Sequence, residues 1–264
     1  IILITVMIKN SIKKNFFNKN GYLKLSNFND NKIFDRLSEE IIIETNKFYE
    51  KNLFKIKDLG GYLTGNLELL PDKKIAQIWN IICNKNFKNT FKKIIGKEIS
   101  KYNLRYSGNI VLPNKGFQHF HTDGPLRSNK IILNVAIHEI NLMNAPTEIV
   151  PGTHNRKIKY WKFYISEFFK KKIMMKMKKG DILIRNHSIW HRGTKNKSKN
   201  LRILLLFELT EKSKNKNFKQ EIYKNLKIGE NQFKSTYIQK FKEAVSIYLF
   251  PVYILYRMVL SIIK

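Results

Sequence analysis

The spacing of apolar and polar positions changes character three times along the chain. Ile33, Leu37, Ile41 and Phe48 recur at helical intervals, which predicts a helix over residues 33–52 behind a cap at Asn29-Asp30-Asn31. A second helical stretch is predicted over 72–95, starting after Pro71-Asp72. Before them, Asn20-Gly-Tyr-Leu-Lys-Leu reads as a turn followed by a short strand. From about residue 100 the pattern becomes short β runs, at 102–112, 117–122, 130–139, 146–150, 173–178, 181–185 and 201–209. Asn-Lys-Gly at 114–116, Asp-Gly-Pro at 123–125, Pro-Gly at 151–152 and Lys-Gly-Asp at 179–181 punctuate these runs. A helical prelude followed by many short strands predicts a mainly β chain with flanking helices, built on a double-sheet jelly roll. No internal repeat is present.

The ends differ from this middle. The first residues, IILITVMI, form an apolar run too short to span a bilayer, without the basic flank or small-residue cleavage site of a signal peptide. Residues 213–264 carry 9 Lys, 1 Arg and 3 Glu and close on a 13-residue uncharged run, Ala244 to Tyr256, with Pro251 in its middle and Arg257 behind it. That is short of the ~20 residues a spanning helix needs. The chain therefore divides into an N-terminal extension (1–19), a domain (20–212) and a basic, apolar tail (213–264).

Composition narrows the class. With 264 residues, 43% apolar and 12% aromatic, the chain is too hydrophobic to be wholly disordered. One cysteine, Cys83, excludes disulfide frameworks and cysteine-built metal clusters. The net charge of +30 suggests a polyanionic partner at first sight. However, the 50 basic residues comprise 42 Lys and 8 Arg, alongside 29 Asn and 37 Ile. These are the residues of A/T-rich codons, and the lysines are spread along the chain rather than clustered. This make-up fits codon bias, so the charge by itself settles nothing, and with no nucleic-acid-binding motif in sight no nucleic acid partner is expected.

The chemistry-bearing stretch is Gln118-His119-Phe120-His121-Thr122-Asp123-Gly124. On a strand, residues two apart project to one face, so His121 and Asp123 can offer an imidazole and a carboxylate to one point. That is two-thirds of the 2-His-1-carboxylate face that holds non-haem Fe(II) and leaves positions open. The pair alone is weak, since chance supplies roughly 0.14 His-x-Asp pairs in a chain with 6 His and 6 Asp. His191, in Trp190-His191-Arg192-Gly193 after a β run, is the natural third ligand. Arg202 opens the apolar strand LRILLLFEL, where a lone guanidinium needs an anionic partner. The C5 carboxylate of 2-oxoglutarate would supply one through a bidentate fork.

In this combination and order, His121-Thr-Asp123, Ala145-Pro-Thr-Glu-Ile-Val-Pro-Gly-Thr-His154, Gly180-Asp181, Trp190-His191-Arg-Gly193 and Arg202 resemble the phytanoyl-CoA dioxygenase family over roughly residues 20–210. The resemblance implies a double-stranded β-helix and an Fe(II)- and 2-oxoglutarate-dependent oxygenase. It implies His121, Asp123 and His191 as iron ligands, Arg202 as the cosubstrate clamp and Asn134 in the cosubstrate pocket. Some members carry a hydroxyl two residues past the distal histidine; Gly193 stands there in this chain, with Thr194 next as the substitute contact. Gln118, His119 and Trp190 are expected around the ligands. Related halogenases lack the carboxylate ligand, so Asp123 favours hydroxylation, with release of succinate and CO₂.

Blander roles are expected for His138, His154 and His187 (structural), Cys83 (core) and the aromatic stretch 161–170 (packing). The tail, with Lys240, Lys242, Arg257 and Lys264 around its apolar body, is read either as a membrane-surface anchor over 240–264 or as a helix packing on the domain or on a dimer partner. The substrate is expected to be a small or lipid-linked metabolite, with O₂ as co-reactant, in the cytoplasm or peripherally on a membrane. Two alternatives stand beside this reading, a membrane-surface lipid or glycolipid hydroxylase and a β-helix that binds without catalysis.

Overall fold

A computed structural model describes residues 2–26, 31–124, 130–212, 220–229 and 236–263. Asn29, Asp30 and Pro125, which sequence places in a cap and a turn, lie outside the described residues. The strands are β1 (Tyr22–Leu25), β2 (Asn66–Leu70), β3 (Tyr102–Val111), β4 (Lys130–Ala136), β5 (Thr147–Ile149), β6 (Ile173–Met175), β7 (Ile182–Asn186), β8 (His191–Gly193), β9 (Arg202–Glu211) and β10 (Lys227–Gly229). The helices are α1 (Ile2–Asn20), α2 (Lys32–Lys51), α3 (Leu53–Ile56), α4 (Lys73–Ile82), α5 (Lys85–Ile95), α6 (Tyr160–Ser166), α7 (Tyr237–Tyr248) and α8 (Phe250–Ile263). Seven strands form an antiparallel sheet in the order β1-β7-β4-β9-β3-β2-β10, and β6-β5-β8 form a smaller one facing it. Together they make the expected mainly β jelly roll with helices outside.

The period-2 pattern decides which side chains face the inside of the roll. On β9, Ile203, Leu205, Phe207 and Leu209 point outward and are at most 1% exposed, packed with Phe34 and Ile41 of α2, Ile75 and Ile78 of α4, and Phe87 and Phe91 of α5. Each such side chain contributes about 1.5–3 kcal/mol of burial free energy. The alternate residues, Arg202, Leu204, Leu206 and Glu208, face inward. By the same alternation Asn134 of β4 and Arg185 of β7 face inward, brought close because β4 pairs with β7 in the register Asn134↔Leu183, Ile132↔Arg185.

Several elements depart from the sequence expectation. The helix expected over 72–95 is two helices, because Asn84 caps α5 by accepting from the Phe87 N–H. Residues 117–122 are not a strand; only His121 pairs, in an isolated bridge with His191. Strands β2, β8 and β10, three to five residues long, are too short to show in the sequence pattern. The residues before Asn20 form α1, whose Phe17 is buried in the main core. The aromatic stretch 161–170 is α6 and a 3₁₀ turn, and Phe163 and Tyr164 do pack as expected. Pro251 falls in the first turn of α8, where its missing N–H costs no helical bond. Phe250 and Ile254 of that helix pack on Phe120, Val150, Phe163, Tyr164 and Trp190, so the tail is seated on the domain.

Candidate metal centre and cosubstrate pocket

His121 and His191 face each other across the bridge, His121 N–H donating to the His191 carbonyl at 2.9 Å and His191 N–H to the His121 carbonyl at 3.0 Å. The ring of His121 donates from Nδ1 to the His119 carbonyl (2.8 Å), and that of His191 from Nδ1 to the Ile189 carbonyl (3.0 Å). A carbonyl can only accept, so Nδ1 carries a proton in both rings, which leaves Nε2 as the atom through which each could hold a metal. Those two Nε2 atoms lie 3.7 and 3.5 Å from Oδ1 of Asp123. The three ligand atoms fall within 4.8 Å of one another, an arrangement able to hold a metal ion. Burial, then the Arg185 charge, press the His191 pKa down to about 3, keeping its Nε2 free of protons at neutral pH. Asp123 is held far below the usual carboxylate range: burial opposes ionisation, but Arg185 and the two imidazoles outweigh it.

Arg185 was not singled out in the sequence, yet its Nη1 lies 2.6 Å from Oδ2 of Asp123 and its Nε donates to Oδ1 of Asn134 at 3.0 Å. The signal was there: a lone guanidinium in the apolar run Ile-Leu-Ile-Arg raises the same demand for an anion that drew attention to Arg202. Asn134 is thereby placed at the centre, 3% exposed and holding Arg185.

Arg202 lies 2% exposed inside the roll. Its Nη1 donates to Oδ1 of Asn109 at 2.8 Å, and its Nε has no partner. Among the described residues no carboxylate pairs with it, and burial draws its pKa down to about 9. A buried cation with an orphaned N–H is the feature a carboxylate ligand would satisfy, so Arg202 fits an anionic cosubstrate inside the roll.

The remaining expected residues divide. Gln118 lines the cavity that contains His121 and Asp123, and its Oε1 accepts from the Gly193 N–H at 2.9 Å. A Cβ at Gly193 would come within 2.8 Å of that oxygen, so the Gln118 amide fills the space where some family members carry a hydroxyl. Thr194 points away; its hydroxyl donates to the Pro146 carbonyl at 2.7 Å. His119 does not share a face with His121, because the segment is not a regular strand. Its ring stacks on Phe250 at 3.6 Å, and its Nε2 meets the Ser246 carbonyl at 2.5 Å. Trp190 stacks on Phe163 at 3.8 Å, outside the roll. His138 is structural, its Nε2 accepting from the Ile203 N–H. His154 packs over Gly21 and His187 over Gly124, where no side chain would fit.

A cavity of about 650 Å³ opens from His121 and Asp123 toward the tail. Most of its lining residues are polar, with the ion pair Arg105–Glu68 (3.2 Å) on one side and Glu208, held by Lys130 at 2.7 Å, on another. Lys240, Lys242 and Glu243 of α7 line its mouth, and Glu243 ties α7 down by accepting from the Thr64 N–H at 2.9 Å.

Fold and site together define a jelly-roll oxygenase of the Fe(II)- and 2-oxoglutarate-dependent class. Residues 17–204 match the family description Phytanoyl-CoA dioxygenase (PhyH), and the chain belongs to that family. No curated protein sequence matches it. Among solved structures it is similar to the epimerase SnoN in complex with Fe3+, alpha ketoglutarate and nogalamycin RO (TM-score 0.59, 11% identity, 77% of this chain and 84% of that one). It also resembles AviO1 from Streptomyces viridochromogenes Tue57 (0.59, 11%, 76% and 95%) and EctD from S. alaskensis with 2-oxoglutarate and 5-hydroxyectoine (0.57, 11%, 76% and 76%). At these identities the likeness establishes the fold, and the family match establishes a 2-oxoglutarate-dependent iron enzyme.

Proposed function

We propose that this enzyme hydroxylates a C–H bond of a small polar molecule, with His121, Asp123 and His191 as the iron ligands and Arg202 as the clamp on the C5 carboxylate of 2-oxoglutarate. The observation that carries this reading is the convergence of two imidazole Nε2 atoms on one Asp123 oxygen, in a roll whose interior also holds a guanidinium with no carboxylate partner among the described residues. When bound, the iron and cosubstrate supply the oxidant, converting O₂, 2-oxoglutarate and the substrate C–H into CO₂, succinate and C–OH. The chain's own residues orient and exclude. The His119 and Ile189 carbonyls fix the imidazole rings, Asn109 steadies Arg202, and α7 narrows the mouth of the cavity. Ile132 and Leu206 are the apolar lining residues, against Glu68, Arg105, Ser107, Gln118 and Glu208. Those polar side chains can hydrogen-bond a substrate, whereas a bare acyl chain would leave them without partners. Anaerobic addition of Fe(II) and 2-oxoglutarate should produce a visible charge-transfer band, and O₂ should then release succinate. No band in the wild type, or an undiminished one in His121→Ala, would refute the ligand assignment.

A second reading concerns where the enzyme works. Val252 (53% exposed), Leu255 (61%) and Val259 (53%) of α8 lie outward, and α6, packed beside it, leads into Phe168 (80%) and Phe169 (92%). Arg257 lies on α8, and Lys170, Lys171 and Lys172 follow the two phenylalanines. This favours seating on an anionic membrane surface, where a lipid-linked substrate would present its polar part to the cavity. Among the described residues no helix is long and apolar enough to cross a membrane. Flotation with phosphatidylcholine vesicles, with and without phosphatidylserine, tests the idea; no coflotation with either sinks it.

A further inference from the structure

The two oxygens of Asp123 face different partners. Oδ1 faces both Nε2 atoms, whereas Oδ2 lies 2.6 Å from Nη1 of Arg185. The guanidinium is not free to drift, since its side chain is 4% exposed, its Nε is bonded to Asn134, and its strand is hydrogen-bonded on both sides, to β1 and β4. We infer that Arg185 is a positioning residue that reserves Oδ2, confines Asp123 to one-oxygen ligation and cancels its charge. The inference rests on the ligand set proposed above.

The consequence is a coupling between metal and cosubstrate. Two neutral imidazoles and a carboxylate neutralised by Arg185 give the protein no net charge to set against a divalent ion. The first net negative group to reach the ion is then the carboxylate of 2-oxoglutarate. The metal is therefore held loosely on its own and firmly once the cosubstrate is present, so ion and cosubstrate enter as a pair.

The test uses Co(II), whose binding to the full-length metal-free chain is followed by its visible absorbance without any turnover. In the wild type, 2-oxoglutarate should tighten Co(II) binding. In Arg185→Gln and Arg185→Met, which remove the charge with different shapes, Co(II) alone should bind at least about tenfold tighter, the floor expected for lifting one unit charge ~5 Å from a dication even with the full screening of water. The gain from 2-oxoglutarate should shrink in step. Arg185→Lys, which restores the charge, should return the wild-type pattern. A folded neutral variant with wild-type or weaker Co(II) affinity overturns the inference, as does a wild type whose Co(II) affinity ignores 2-oxoglutarate. A wild type that binds no Co(II), or binds it equally well as His121→Ala, instead refutes the underlying ligand assignment.

Discussion

Replacing Arg202 with Met separates its cost to the fold from its use to the cosubstrate. Met keeps the unbranched stem and removes the cation. Asn109 loses one hydrogen bond, which costs about 1 kcal/mol. Against this, the wild type keeps a guanidinium 2% exposed with no carboxylate partner among the described residues, a desolvation penalty of several kcal/mol. Without 2-oxoglutarate, Arg202→Met should therefore unfold at the wild-type temperature or above it. With the cosubstrate the order reverses. At about 100 times its Kd, 2-oxoglutarate stabilises the wild type by ~2.7 kcal/mol, and at ~2–4 °C per kcal/mol for a domain of this size that is a rise of roughly 5–10 °C. Losing a buried charge-assisted pair costs about 3–5 kcal/mol, or two to nearly four orders of magnitude in Kd, so the variant should show no rise at that concentration. Scanning calorimetry on the Co(II)-loaded protein, with and without 2-oxoglutarate, reads both effects. A variant that keeps the ligand-induced shift, or loses more than about 5 °C without ligand, would refute the reasoning.

Three further outcomes are expected. His119, His138, His154, His187 and His191 all have pKa values pushed below the usual 6.5, with burial the leading cause. The unfolded chain thus binds protons that the folded chain refuses, and stability falls as pH drops from 6.5, for His191 down to about 3; urea unfolding at pH 7, 6 and 5 should show a steady loss, and a flat profile would contradict it. Gly193→Ser should cost about 1–2 kcal/mol by displacing the Gln118 amide, and less in a Gln118→Ala background; strictly additive effects in denaturant melts would show that the two do not compete for space. Phe250→Ala removes the stack on His119 and should speed proteolytic cleavage of α7 and α8; an unchanged digestion rate would mean that other contacts hold the tail.

Much of the architecture is visible in one dimension. The period-2 run of β9 separates its core face from its site face without reference to any other strand. The His121-x-Asp123 pair, His191 and Arg202 stand out because each is a polar residue in an apolar or turn setting that demands a partner. What could not be read depends on contacts distant in sequence. Gly193 looks like a missing contact until Gln118, 75 residues earlier, is seen to occupy its space. His119 looks like a neighbour of His121 until α8 turns its ring onto Phe250. Strands of three residues such as β8 and β10 carry no period of their own and exist only by pairing with β5 and β2.

By itself the sequence determined a mainly β roll with helices behind it, the family it resembles, and which charged and potential metal-binding groups stand out. These are matters of local periodicity and residue chemistry. Only the tertiary structure decided which of those groups meet: that Arg185 takes one oxygen of Asp123, that Arg202 has no carboxylate partner among the described residues, and that α7 contributes to the wall of the cavity. An ion pair or an orphaned donor is a relation between distant strands, set by register and by which residues face inward, and those are settled when the sheets pack.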